Sequence, residues 1–366
     1  MRRELIMKIW LLLLGSIFVT RFLVNKAGPD TKKNDKAFLI ISGIMIVFVM
    51  GSRYATASGS GDINNYYRMY INAANMSWKG CFESENIEGG YLLLNKILVK
   101  IVKWPQFIMY FEASFVTFFM LRAIYKYSDN VFLGLMCYFS VGTFIFALTG
   151  FRQSMAFSIC LYAVDFLIDK KHIRFIILVL LAMTIHQTAV VFFSVLLFTR
   201  AEMKRNYIFM LIVLIIGLSF TADKLMSLGN DVFEREYLTE FKWNITGGLI
   251  NISIYSFAVF MYILNDYKNL KNIDRIGMIF IYIGIMGIGL YIMRFKALVI
   301  ERISLYFLVV IPILMSNGLA RMRVKHRNDR LRVVLFSYAC LILLFIYRVY
   351  TTIGMNYRFF WQTGIT

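Results

Sequence analysis

Apolar stretches of near membrane-spanning length recur along the whole chain, separated by short polar segments. Eleven are predicted as helices: Ile9–Val24, Ala37–Ser52, Gln106–Leu121, Val131–Leu148, Arg152–Ile168, Ile173–Phe198, Tyr207–Ala222, Leu249–Leu264, Ile276–Met293, Ile303–Leu319 and Val333–Tyr347. A helix needs about 20 mostly apolar residues to cross the hydrocarbon layer, where every backbone N–H and C=O must find its partner inside the helix. The predicted fold class is therefore all-α, a polytopic transmembrane helical bundle of about 10–12 membrane segments. Residues 1–366 are read as a single transmembrane domain. Two polar stretches, 53–105 and 223–248, are long enough to carry extramembrane or interfacial helices. Function is sought there, because loops held by a rigid scaffold carry most binding and catalytic groups.

Composition sharpens this picture. The 366 residues are 59% hydrophobic, with mean hydropathy +0.66, which excludes an ordinary soluble domain. A net charge of +19 raises nucleic acid as a partner, but the basic residues fall in short clusters between apolar segments, as topology and anionic membrane lipids require. No nucleic-acid partner is expected. The first apolar stretch follows a basic start and lacks a small-residue cleavage site, so it reads as a retained span. Cys137, Cys160 and Cys340 lie in apolar runs and only Cys81 lies in a polar loop, so no disulfide framework follows.

The clusters Lys26–Lys36, Arg122–Lys126, Lys170–Arg174, Arg200–Arg205, Lys268–Arg275 and Arg321–Arg332 mark the cytoplasmic side. They alternate along the chain except at Ile173–Phe198, which has a cytoplasmic-type cluster at both ends. One reading is a re-entrant hairpin or broken pair with a break near Thr184–Thr188 and His186 and Gln187 at its tip; the other is one long tilted helix. The stretches 53–105, 149–153, 223–248 and 294–302 are then predicted to face outward.

The outer side keeps Arg53, Arg152, Arg294 and Arg302, each at the mouth of a span. A guanidinium donates two hydrogen bonds in a planar fork and stays charged, which suits phosphate; snorkelling towards lipid headgroups is the bland explanation. His186 is one of three histidines and the only one predicted at membrane depth. It is a candidate general base or else a hydrogen-bonded structural residue. In the first outer stretch Asp62, Tyr66 and Tyr70 share one helical face, and Glu88 and Tyr91 precede an apolar helix. Carboxylates beside flat aromatic rings suit sugar recognition, while capping and interfacial tyrosines account for the same residues. Glu112 lies inside a predicted span, where a carboxylate is costly. No metal-ligand spacing, nucleotide loop or nucleophile elbow occurs, so neither metal nor cofactor is expected.

Arg53, Gly61–Asp62, Tyr66, Glu88–Gly89–Gly90–Tyr91, Phe151–Arg152–Gln153–Ser154–Met155–Ala156, His186–Gln187, Glu301–Arg302 and Tyr306 occur in that order. In this order the chain resembles the EpsG-like group of bacterial polysaccharide polymerases, relatives of the Wzy-type O-antigen polymerases, over roughly residues 40–320. The resemblance implies a membrane glycosyltransferase, GT-C-like in type and metal-independent. It would act in the bacterial cytoplasmic (inner) membrane with its active site facing the periplasm or exterior. Its substrate would be a polyprenyl-pyrophosphate-linked oligosaccharide, and a chain-length regulator protein would be a candidate partner. Arg152, Arg294, Arg302 and Arg53 would hold the pyrophosphate, Tyr66, Tyr91 and the second outer loop would grip the glycan, and Gln153 and Tyr306 would be further substrate-binding residues. His186, Asp62, Glu88 or Glu112 would deprotonate the acceptor hydroxyl. A flippase for the same lipid-linked sugar and a membrane acyltransferase acting on glycans are the alternatives.

Overall fold

The computed structural model describes residues 2–26, 28, 31–54, 61–84, 86–198, 245–265, 275–295, 298–322, 326–353 and 359–363. They form α1 (Arg2–Lys26), α2 (Thr31–Gly51), α3 (Gly61–Ala73), α4 (Gly89–Ile101), α5 (Phe107–Tyr127), α6 (Val131–Ser140), α7 (Thr143–Ala147), α8 (Phe151–Ile168) and α9 (His172–Ile185). A 3-10 helix, Gln187–Phe198, follows, then α10 (Ile245–Asn265), α11 (Arg275–Ile292), α12 (Leu298–Leu308), α13 (Ile311–Ala320) and α14 (Arg327–Arg348). Among the described residues there is no strand, only an isolated bridge between Arg53 and Phe359. The chain is an all-α, multi-pass membrane protein.

The helices α1, α2, α5, α8, α10, α11 and α14 are each long and apolar enough to span a membrane. The pair α12 and α13 spans together but bends by 47°. Pro312 supplies the cause: it has no N–H for the carbonyl of Leu308, and its ring crowds that carbonyl. The predicted stretch Tyr207–Ala222 and nearly all of the second outer stretch lie outside the described residues.

Two predicted stretches are not simple helices. Val131–Leu148 breaks between α6 and α7, where Gly142 takes a positive φ of 104°, a conformation favoured by glycine. Ile173–Phe198 breaks at His186, whose φ of −153° and ψ of 110° are extended. Beyond that point the chain turns back, because the rings of Phe175 and Phe192 stack with centroids 5.9 Å apart. A straight helix would separate those residues by about 25 Å. The hairpin reading is the one the structure adopts.

The centre of the bundle is α8, with 78% of its apolar window buried, against 28% for α10 and 17% for α14. A helix apolar all round belongs inside, and one exposing its apolar face belongs against lipid. Polar groups collect at two opposite ends. At one, Asp165 near the end of α8 pairs with Arg122 and Lys126, while Arg321 pairs with Asp129. At the other lie the starts of α5 and α8, where Arg53 donates to the carbonyl of Leu148 and Gln106 Nε2 bridges the carbonyls of Gly51 and Arg53 at 2.6 and 2.7 Å. The basic residues predicted as cytoplasmic that the structure describes in ion pairs therefore sit opposite Arg53 and Arg152.

Candidate active site

Glu88 immediately precedes α4, at the end of a connecting segment that brings α3 and α4 together. Its side chain makes no capping bond to its own helix. Glycine explains where it goes instead. A β-carbon on Gly90 would lie 2.6 Å from Cβ of Thr184, so only glycine lets the first turn of α4 abut the last turn of α9. The Glu88 carboxylate thus reaches the break in the hairpin, where the backbone at His186 is extended and both the His186 ring and the Gln187 N–H meet it.

Three donors converge on that carboxylate. His186 Nδ1 lies 3.0 Å from Oε1, the Gln187 N–H donates to the same oxygen at 3.0 Å, and Arg152 donates to Oε2. All three side chains are shielded, with 8% of Glu88, 17% of Arg152 and 18% of His186 exposed. Burial opposes the charge on Glu88. The His186 hydrogen bond, the Arg152 charge and the Gln187 N–H outweigh it and lower the carboxyl to about 2. Glu88 is therefore ionised at neutral pH and too weak a base to take a proton from a sugar hydroxyl.

Arg152 is the second residue of α8, where a helix N-terminus disfavours positive charge. Glu88 offsets that cost, Tyr66 adds a side-chain hydrogen bond, and the Arg152 Nε–H is left without a partner. Beneath it Tyr66 stacks on Phe151 with centroids 4.9 Å apart and meets Tyr91 edge-on. Both tyrosines are buried, so their rings form the floor of the site. Asp62 lies at the start of α3, and its side chain is outside the described residues.

Gln153 ties this centre to α12 by donating to the carbonyl of Arg302. The side chain of Arg302 is exposed, and one turn further Tyr306 OH lies 3.2 Å from Thr188 Oγ1. Arg294 stands in a second cluster, paired with Glu301 at 3.2 Å and bonded to Tyr291 OH. Arg53 is buried and spent on the carbonyls of Met50 and Leu148. Within its electrostatic reach Glu112 is wholly buried in α5, both carboxylate oxygens unpartnered. The predicted arginines thus divide between a charge-matched centre around Glu88, a basic cluster around Glu301, and a structural position at Arg53. Sequence reasoning missed the Gln187 N–H, Thr188, Asn251, Tyr291 and Arg348. Among the described residues no three His, Cys, Asp or Glu side chains gather as a metal site requires.

The family model described as the EpsG family matches residues 36–361. The chain belongs to the EpsG family. The match takes in the whole site and extends through α14. Membership suggests a polysaccharide-polymerase-like role for this EpsG-family chain. No curated protein and no solved structure matches it.

Proposed function

We propose that the chain is a polysaccharide polymerase that joins polyprenyl-pyrophosphate-linked oligosaccharide repeat units at the outer face of the bacterial cytoplasmic membrane. The observation that carries this reading is the Glu88–His186 pair, set at the tip of a membrane hairpin beside Arg152. Glu88 is ionised and bonded to Nδ1, which keeps that nitrogen protonated and leaves Nε2 as the basic nitrogen. Nε2 takes the proton of the acceptor sugar hydroxyl as its oxygen bonds to the anomeric carbon of the donor. The bond from that carbon to the pyrophosphate oxygen breaks, and the polyprenyl pyrophosphate leaves with the electron pair. Glu88 then stabilises the imidazolium, and arginines on the α12 side stabilise the charge growing on the leaving group. Since pyrophosphate leaves as a stable anion, arginines can meet that demand.

The test is the fate of repeat units in cells lacking the protein. Single lipid-linked units should accumulate on the outer leaflet of the membrane. Accumulation on the inner leaflet would mean that the protein flips these lipids, and unchanged polymer would end the proposal.

A further inference from the structure

Five elements converge on a polar cluster that the hydroxyl-activating pair does not use. Arg348, in the last turn of α14, donates from Nε to the carbonyl of Ser140 and from its NH2 group to Asn251 Oδ1 at 2.6 Å. Asn251 on α10 donates to Tyr291 OH at 2.6 Å. That hydroxyl also receives Arg294 and lies 3.4 Å from Glu301 Oε1, while the second nitrogen of Arg294 pairs with Glu301 Oε2 at 3.2 Å. The fold makes room for Arg348 in particular. At Gly142, already at positive φ, a β-carbon would lie 3.0 Å from the terminal nitrogen of Arg348.

Among the described residues the charges here do not balance. Arg294, Arg302 and Arg348 all lie within electrostatic reach of Glu301. Arg294 pairs with it directly, Arg348 bonds only neutral acceptors among the described residues, and the Arg302 side chain is exposed. At the Glu88 centre, by contrast, Glu88 and Arg152 cancel. Arg348 is half-buried and has no carboxylate partner among the described residues, so a bound anion would supply it with a charge-assisted one. Glu301 is 31% exposed at its side chain and can swing away from Arg294.

We propose that this cluster is the diphosphate subsite, with Arg348 as a ligand and Glu301 as a resident counter-ion that the incoming diphosphate displaces. This rests on the polymerase reading and deepens it. The diphosphate meets up to three guanidinium groups drawn from α12, α14 and the end of α11, each able to donate to its oxygens in a fork. Glu301 covers part of the charge while the site is empty. Gln153, adjacent to Arg152, holds the backbone of Arg302, so this subsite and the Glu88–His186 pair share one wall.

The experiment measures binding of undecaprenyl diphosphate and of phosphatidylglycerol to the purified full chain in nanodiscs, alongside its melting temperature. Arg348→Gln should weaken diphosphate binding about tenfold or more, with phosphatidylglycerol binding unchanged. Glu301→Gln, which removes the competitor, should bind the diphosphate several-fold more tightly. Wild-type affinity in a stably folded Arg348→Gln protein overturns the proposal. So does an equal loss for both lipids, which would mark a general headgroup clamp. Should Arg348→Gln fail to fold, Glu301→Gln decides alone: tighter binding supports the proposal, and unchanged or weaker binding overturns it. The two readings separate cleanly. Diphosphate binding that responds in this way without any polymer formation would sink the polymerase and keep the subsite. Polymer formation with unaltered kinetics in Arg348→Gln would do the reverse.

Discussion

Asp165 and Glu88 stand at opposite ends of the bundle, and each is a shielded carboxylate that takes three donors. Asp165 receives Arg122, Lys126 and Tyr127. Glu88 receives Arg152, His186 and the Gln187 N–H. The difference lies in what the donors can still do. Those on Asp165 are two cations and a phenol, and together they lock α5 to α8. One donor on Glu88 is an imidazole, which keeps a second nitrogen that does not touch the carboxylate. On the proposed function the same electrostatic device is an anchor at one end and the core of a reactive site at the other. The side chain that reads the carboxylate decides which.

Substitutions at the two carboxylates should separate these roles. Glu88→Gln should cost about 100-fold or more in polymerisation rate, because the amide no longer fixes the imidazole tautomer or stabilises its charged form. The protein should still fold, and polymer formed by equal amounts of purified protein is the readout. Asp165→Asn should do the opposite. It should lower stability by about 1–3 kcal/mol, seen as a lower melting temperature, and leave the rate per folded molecule near wild type. Equal rate losses at the two sites would erase the distinction.

Acid should sharpen it. The Glu88 carboxyl is lowered from 4.5 to about 2. A depressed carboxylate adds stability above its unfolded value, and that stability is lost as pH falls through the folded value. The melting-temperature gap between wild type and Glu88→Gln should therefore be constant above pH of about 5 and close as pH falls towards 2. A gap that stays unchanged as pH falls from about 5 towards 2 would place Glu88 at an ordinary carboxylate value.

Gly90→Ala offers the smallest and most local perturbation. A β-carbon there meets Thr184, so α4 must back away from the hairpin tip. Activity should fall several-fold, because small misplacements at a reacting centre are costly, and the melting temperature should fall with it, because the Thr184 backbone oxygen also stands in the way. Wild-type activity would mean that the contact between Glu88 and His186 tolerates movement.

Much of the fold is legible in the sequence because lipid imposes a one-dimensional rule: a span must be long and apolar. Even the hairpin at Ile173–Phe198 is foreshadowed, since basic clusters at both ends demand an even number of crossings. The break at Gly142 is not. An apolar run with one glycine reads as continuous, and the guanidinium that needs the gap lies on another helix. The site is legible in its members and not in its pairings. Glu88 and His186 can each be named as candidates, but nothing local shows that residues 98 positions apart touch. Arg152 reads as a free cation because its counter-ion lies 64 positions upstream. Arg348 stays hidden because, at the end of an apolar helix, it looks like an arginine snorkelling to the interface.

The most direct measurement is polymer formation by the purified protein in liposomes supplied with the lipid-linked repeat unit, comparing wild type with His186→Ala at matched folded amounts. The account predicts a ladder of polymer from wild type and, from the variant, only unreacted single units over the same period. Full-length polymer from His186→Ala would contradict it.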